Sequence, residues 1–267
     1  MWVLLYYTTV LTVIVRLKHK KRVMQMKTAK ARGALLIYLL AAVMLGVYLF
    51  AEFGKGISMP PLTRLLLSLI IFGGAFCGSR LLACELEPER GRILLKFTFI
   101  FGFVLYIWML ISFVLLDSYF GRVGGDFIWR ADPEYLTNYL QTSVNLYPFK
   151  TIVGFLQRFF GGQVTLYGVA VNLVGNVLAF LPFGFFATTI TEKRPLPIVF
   201  ALLMTAASSV IELAQLLTLA GSCDVDDVIL NALGGTLSYL FFKSDAGIRF
   251  NNFLYNRKAI KQKGDIR

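Results

Sequence analysis

Histidine is almost missing: His19 is the only one in 267 residues, and it sits in a basic linker where a solvated role is expected. No histidine is therefore placed beside an acid to activate a nucleophile. Cysteine is nearly as scarce. Cys77, Cys84 and Cys223 are scattered, with no paired spacing that points to a disulfide framework or a zinc site. Charge is thin as well, at 16% of residues, and acids are outnumbered 15 to 27 by Lys and Arg. The net charge of +12 comes with no nucleic-acid-binding motif. There is no internal repeat, and the one long loop, 117–163, is not of low complexity.

What the chain has in abundance is apolar length. With 57% apolar residues and a positive mean hydropathy, its composition is that of a membrane protein. A helix needs about 20 mainly apolar residues to cross a hydrocarbon core of roughly 30 Å. Runs of this kind fall at 1–15, 33–53, 62–83, 93–116, 164–190, 196–220 and 226–243. The expected fold is an all-α integral membrane protein with about seven transmembrane helices, or six if the first does not span. The doubt over the first arises because fifteen residues reach only about 22 Å. That run also lacks a basic start and a small-residue cleavage site, so a removable signal peptide is not expected.

The distribution of charge sets an expected orientation. Of the 27 basic residues, 21 fall in one set of alternate loops: the linker 16–32, the stretch 80–96, Lys193 with Arg194, and the tail 243–267. The others are Lys55, Arg64, Arg122, Arg130, Lys150 and Arg158. Basic residues resist translocation, so the N-terminus is expected outside and the C-terminus in the cytoplasm. Such a basic surface also attracts anionic lipid, at about 1 kcal/mol per Lys or Arg.

The polar loop CELEPERGR (84–92), with Pro88 and Gly91, breaks helical continuity and divides the chain. The expected organisation is N-terminal spans with a basic cytoplasmic loop at 1–92, a second membrane unit at 93–243 with an outer loop at 117–163, and a basic cytoplasmic tail at 244–267. The first unit shows little intramembrane polarity, and its leucines, phenylalanines and glycines read as lipid contact and helix packing. Within the outer loop, ADPEYLTNYLQ offers Asp132 as an N-cap, Pro133 at the first helical position and Glu134 in the first turn. Further on, Phe149, Ile152, Val153, Leu156, Phe159 and Phe160 share one face, the pattern of a helix lying in the outer interface.

Polar residues recur inside the last three spans. Asn172 and Asn176 are four apart and share a face, with Pro182 and Gly184 loosening the helix beyond them. Ser208, Glu212 and Gln215 form a second stripe. Asp224, Asp227 and Asn231, followed by Gly234 and Gly235, form a third. At about 1.5 Å per residue, the orientation above puts all of them in the outer half of the membrane. A carboxylate in hydrocarbon is costly without partners or water, so Glu212 is expected to face an outward-open polar cavity lined by these groups. Three other readings stay open: hydrogen-bond glue between helices, a helix cap at Asp224 or Asp226, and a divalent-metal site at Asp224 and Asp227.

Taken together and in order, NLYPF (145–149), NLVGNVLAFLPFGF (172–185), SSVIELAQ (208–215) and DVDDVILNALGGTLSY (224–239) resemble the motifs of the VanZ family. These are bacterial membrane proteins whose namesake accompanies low-level resistance to the glycopeptide teicoplanin. The likeness covers roughly residues 93–243. By that resemblance the family's characteristic positions fall on Asn145, Pro148, Phe149, Asn172, Asn176, Pro182, Gly184, Glu212, Gln215, Asp224, Asp227, Asn231 and Gly234. Members commonly carry an arginine three residues before the first aspartate, where this chain has Gly221.

The resemblance implies a multi-pass protein of the bacterial plasma membrane with a role at the cell envelope. In the first functional reading, Asn145, Asn172, Asn176, Ser208, Glu212, Gln215, Asp224, Asp227 and Asn231 line a cavity. That cavity binds an envelope component, such as a lipid-linked precursor, and alters teicoplanin-type susceptibility. In the second, the protein is a metal-dependent enzyme acting on a lipid phosphate, with Asp224 and Asp227 as ligands and Glu212 as the candidate general base. In the third, it is a structural or partner-binding membrane protein. Membrane lipids are the expected partners and nucleic acid is not. No cofactor is expected.

Overall fold

The computed structural model describes residues 29–53, 59–116, 127–219 and 221–255. The candidate span at 1–15, most of the basic linker and the end of the tail lie outside the described residues. In chain order the elements begin with α1 (Ala29–Phe53), α2 (Pro61–Ala83) and α3 (Pro88–Ile111), which runs on through a π-helical turn at Ser112–Leu116. A short helix α4 (Pro133–Thr142), a two-residue strand β1 (Val144–Asn145), α5 (Lys150–Phe160) and α6 (Leu166–Val169) follow. A second π-helical turn, Ala170–Val174, leads into α7 (Gly175–Ile190). Then come α8 (Pro197–Thr218), β2 (Cys223–Asp224), α9 (Val225–Lys243) and α10 (Asp245–Leu254).

Prolines open the helices more often than they break them. Pro61, Pro88, Pro133 and Pro197 all stand in the first turn, where the missing N–H has no intrahelical partner to lose. Five helical runs are long and apolar enough to cross a membrane: Lys30–Phe53, Pro61–Ala83, Pro88–Leu115, Leu166–Ile190 and Pro197–Thr218. At most 33% of the most apolar stretch of any of them is buried inside the protein. Residues such as Leu36, Leu40, Val43 and Phe50 therefore point outward, uncovered by any other described residue, as lipid-facing side chains do. The protein is an all-α multi-pass membrane protein. α9 falls outside that set of five, because Asp226, Asp227 and Asn231 dilute its first half.

Despite its polarity, α9 is central, bridging α7 and α8. Two glycines allow α7 and α9 to touch backbone to backbone. A β-carbon at Gly234 would lie 2.0 Å from the Val177 carbonyl oxygen, and one at Gly184 would lie 2.2 Å from the Tyr239 nitrogen. Only glycine fits at either place. Pro182 removes a hydrogen bond from the middle of α7, and in the same stretch the Tyr106 hydroxyl of α3 donates to the Ala179 carbonyl.

The three N-terminal helices pack in succession, α1 on α2 and α2 on α3. A chain of hydroxyls stitches them: Tyr38 to Ser79 at 2.6 Å, Ser79 to Thr98 at 2.5 Å, and Thr98 donating to the Leu94 carbonyl at 2.9 Å. α3 then meets α7 through aromatic rings. Phe103 and Tyr106 meet Phe183 edge to face at 5.7 and 5.6 Å, while Phe99, Phe186 and Tyr255 lie in one buried cluster with Leu95.

This half also holds buried polarity. Glu52, at the end of α1, pairs with Arg64 of α2 at 3.1 Å and accepts from the Ser112 hydroxyl at 3.0 Å. The Arg64 guanidinium also lies 5.5 Å from the Phe113 ring centre. The sequence hides the pair because its two members stand near opposite ends of a loop, where each reads as a solvated charge.

Candidate functional site

The acids of SCDVDDVILNALGG cluster at the N-terminal end of α9, where Asp224 and Asp226 meet the start of α5 and Asp227 meets α7. Asp226 is fully buried. Its carboxylate accepts the Phe149 N–H, the Thr151 N–H at 2.7 Å and the Ile152 N–H at 3.0 Å. These are orphan donors at the start of α5, which has no capping side chain of its own because Phe149 occupies the N-cap position. Asp226 supplies that cap from a helix 75 residues away in sequence, with a negative charge suited to the positive end of the helix dipole. Phe149 is left-handed, at φ 67°. A bulky residue there is strained by about 1–3 kcal/mol and needs surroundings that hold it.

Asp224 caps its own helix, accepting the Asp226 N–H at 2.8 Å, as the capping reading anticipates. It also accepts from the Asn145 amide at 2.8 Å and the Thr151 hydroxyl at 2.5 Å. β1 and β2 pair in parallel, Val144 with Cys223 and Asn145 with Asp224, which fixes the outer loop against the start of α9. Glu212, 5% exposed, lies beneath this pairing and accepts the Asp224 N–H at 2.9 Å. In the amide orientation that satisfies both groups, Gln215 donates to the same Glu212 oxygen at 3.2 Å and to the Ser222 carbonyl at 3.3 Å. Asn145, Glu212, Gln215 and Asp224 thus form one network with Asp226, expected only as a cap of its own helix, and with the unanticipated Thr151.

Most of the remaining candidates bond to other helices as well. Asp227 accepts from the Asn176 amide of α7, and Asn231 donates to Ser208 of α8 at 2.9 Å. The stripe of Asp224, Asp227 and Asn231 therefore fans out instead of facing one cavity. Asp224 precedes the first helical turn, and successive positions of α9 look toward α5, α7 and α8 in rotation. Asn172 is exposed and donates to the Gly168 carbonyl of its own helix at 2.7 Å. The π-helical turn at Ala170–Val174 puts an extra residue between Asn172 and its expected register with Asn176.

Burial over this end also suppresses ionisation. The Cys223 thiol is pushed up by burial and by the Glu212 and Asp224 carboxylates nearby. Tyr139 of α4 is pushed up to about 12, by burial first, then by Cys223, Tyr135 and Glu212. Its hydroxyl is buried with no hydrogen-bond partner among the described residues.

With that geometry in place, comparison with known proteins gives one result. The profile of the VanZ/LLP1 family matches residues 101–248, just over half of the chain. The chain belongs to the VanZ/LLP1 family. No curated protein and no solved structure matches it.

The matched VanZ/LLP1 segment runs from α3 to α10 and so contains the whole acidic end. The positions singled out by the VanZ resemblance acquire distinct structural tasks here. Asn145, Glu212, Gln215 and Asp224 belong to the network, Gly184 and Gly234 to the α7–α9 contact, and Phe149 to the strained start of α5. Asp224, offered above as a metal ligand, faces three N–H and O–H donors, the surroundings of a cap. Among the described residues no group of three or more His, Cys, Asp and Glu side chains is placed to hold a metal ion. Gly221, where VanZ relatives commonly carry arginine, has φ 96°, a conformation that side-chain-bearing residues rarely adopt.

Proposed function

We propose that this VanZ-like protein resides in the bacterial plasma membrane and engages a lipid-linked envelope component at the edge formed by Asn172, Asn176 and Asp227, thereby altering susceptibility to teicoplanin-type glycopeptides. The carrying observation is Asp227. It is the one acid of the α9 start that is not fully buried: half-buried and held by Asn176, which lies two residues past a π-helical turn. Such turns inside α-helices are frequent at functional sites. A carboxylate held there accepts hydrogen bonds from the hydroxyl and amide groups that envelope precursors carry. The Glu212, Asp224 and Asp226 network is then the scaffold that positions this edge.

The same proposal places the N-terminus outside and the C-terminus in the cytoplasm, with seven crossings if 1–15 and α9 both span. The gathering of Arg92, Lys96 and Arg194 at one end of the bundle, opposite the acids, supports this orientation. α5, with Phe149, Val153, Leu156 and Phe160 exposed, suits a helix lying in the outer interface.

Deleting the gene and restoring it as wild type or Asp227→Asn tests the function. Deletion and the variant should shift teicoplanin sensitivity alike, with membrane levels of the variant unchanged. Unaltered sensitivity and unaltered lipid composition would refute the proposal. For orientation, a membrane-impermeant maleimide on intact cells should label Cys223 and spare Cys84; the reverse pattern would overturn it.

A further inference from the structure

At the end of the bundle opposite the acids, a cavity of about 350 Å³ opens between the start of α3, the end of α7 and α10. That volume lies at the lower end of the range for small-molecule sites. Its wall carries three cations, Arg92, Lys96 and Arg194, against one carboxylate, Glu192. Arg92 is paired with Glu192. Lys96 and Arg194 are paired with no carboxylate among the described residues, so the cavity keeps an excess of positive charge.

A second, independent observation lies on the same wall. Asn251 is 5% exposed, and its Oδ1 accepts from the Thr189 hydroxyl at 2.9 Å. Its Nδ2 is buried and has no hydrogen-bond partner among the described residues. An unmet buried donor is costly, and a ligand oxygen would satisfy it. The wall is also firmly built: Tyr255 donates to the Thr189 carbonyl at 2.8 Å, which docks α10 on the end of α7. Two cations and an amide donor around one small cavity match the tetrahedral oxygens of a phosphoryl group.

We propose that this cavity binds a phosphate-bearing anion, with its phosphoryl oxygens held by Lys96, Arg194 and the Asn251 amide. The phosphate can come from the headgroup of an anionic lipid or from a free phosphate ester. Only the assignment of this end to the cytoplasmic side rests on the orientation proposed above; the cavity and its chemistry do not.

The test uses the full chain in neutral detergent micelles. Thermal-shift titrations are run with inorganic phosphate, glycerol phosphate, dioctanoyl phosphatidylglycerol and, as the zwitterionic control, dioctanoyl phosphatidylcholine. Saturable stabilisation by phosphatidylglycerol alone identifies a lipid headgroup, and stabilisation by the water-soluble phosphates as well identifies a free ester. In either case Lys96→Gln and Asn251→Asp should weaken binding by about tenfold or more, the loss expected from one charge-assisted hydrogen bond. Arg158→Gln, at the other end of the molecule, should leave it unchanged. Lys96 is exposed, so its variant decides the matter even if Asn251→Asp does not fold. The proposal is overturned if no phosphate probe stabilises the protein saturably, if phosphatidylcholine matches phosphatidylglycerol, or if Lys96→Gln binds like wild type.

Discussion

Replacing Asp226 by asparagine isolates the contact on which the acidic end depends. The buried carboxylate receives three backbone N–H groups from the start of α5. Hydrogen bonds to a charged acceptor contribute about 1.5–3 kcal/mol each. Asparagine keeps one oxygen and turns an N–H₂ toward donors that it cannot accept from, so about half of that stabilisation should survive. The expected local loss is about 3 kcal/mol, which at 1.4 kcal/mol per factor of ten is roughly a hundredfold change in opening. The strain held at Phe149 favours release in the same direction.

Hydrogen exchange read on peptides covering 149–156, with the full chain in micelles, measures this directly. In Asp226→Asn the Phe149, Thr151 and Ile152 amides should exchange about two orders of magnitude faster, while α8 stays protected. Asp132→Asn gives the comparison. Its side chain caps α4 through a single exposed contact of 3.3 Å, and its loss should change exchange little. Unchanged exchange at 149–152 in Asp226→Asn would refute the assignment of Asp226 as the remote cap of α5.

Three further outcomes follow from the packing and the electrostatics. Gly234→Ala should lower the unfolding temperature in micelles sharply, since its β-carbon would lie 2.0 Å from the Val177 carbonyl, whereas Gly46→Ala, with nothing within 4 Å, should be neutral or slightly stabilising. Equal effects would remove the close contact of α7 and α9 from the account. Glu52→Gln or Arg64→Gln alone should cost about 3–5 kcal/mol by leaving a buried charge behind, and the double variant should cost less than the sum; strict additivity would exclude the pair as a unit. With Cys77 and Cys84 replaced by serine, the pH at which Cys223 is alkylated at half its maximal rate should lie above that of an unburied thiol. Glu212→Gln should lower it, because burial and two carboxylates all oppose the thiolate. The folded state holds that proton more tightly than the unfolded one, so this contribution is present below the unfolded thiol pKa and lost as pH rises through the folded one. A midpoint at or below the ordinary value would contradict the half-buried, acid-flanked setting of Cys223.

Much of the fold is legible in the chain because hydrocarbon imposes length and composition on each helix separately. The apolar runs at 33–53, 62–83, 93–116, 164–190 and 196–220 correspond to the helical runs long and apolar enough to cross. Asp132 as a cap followed by Pro133 is equally local, and it stands where the residues place it. Of the candidate site, the adjacency of Asn145, Glu212, Gln215 and Asp224 follows from motifs that lie at the same end of neighbouring helices. Thr151 and the remote role of Asp226 were less visible, although a signal existed: Phe149, at the N-cap of α5, cannot cap a helix with its side chain, so some acceptor had to come from elsewhere.

The sequence by itself determined that this is an all-α membrane protein and which helix ends carry the acids and the bases, since both follow from the free energy of single residues in lipid or water. Tertiary structure alone decided which acid meets which helix. Spacing along α9 puts Asp224, Asp227 and Asn231 on one stripe. A central helix, however, is surrounded on several sides, and a cap residue, a first-turn residue and a residue one turn deeper point to different neighbours. The Glu52–Arg64 pair and the cavity beside Asn251 were hidden for the same reason. Each joins residues that are solvated charges or plain amides along the chain, and they become a buried pair or a donor without a partner only when separate helices close around them.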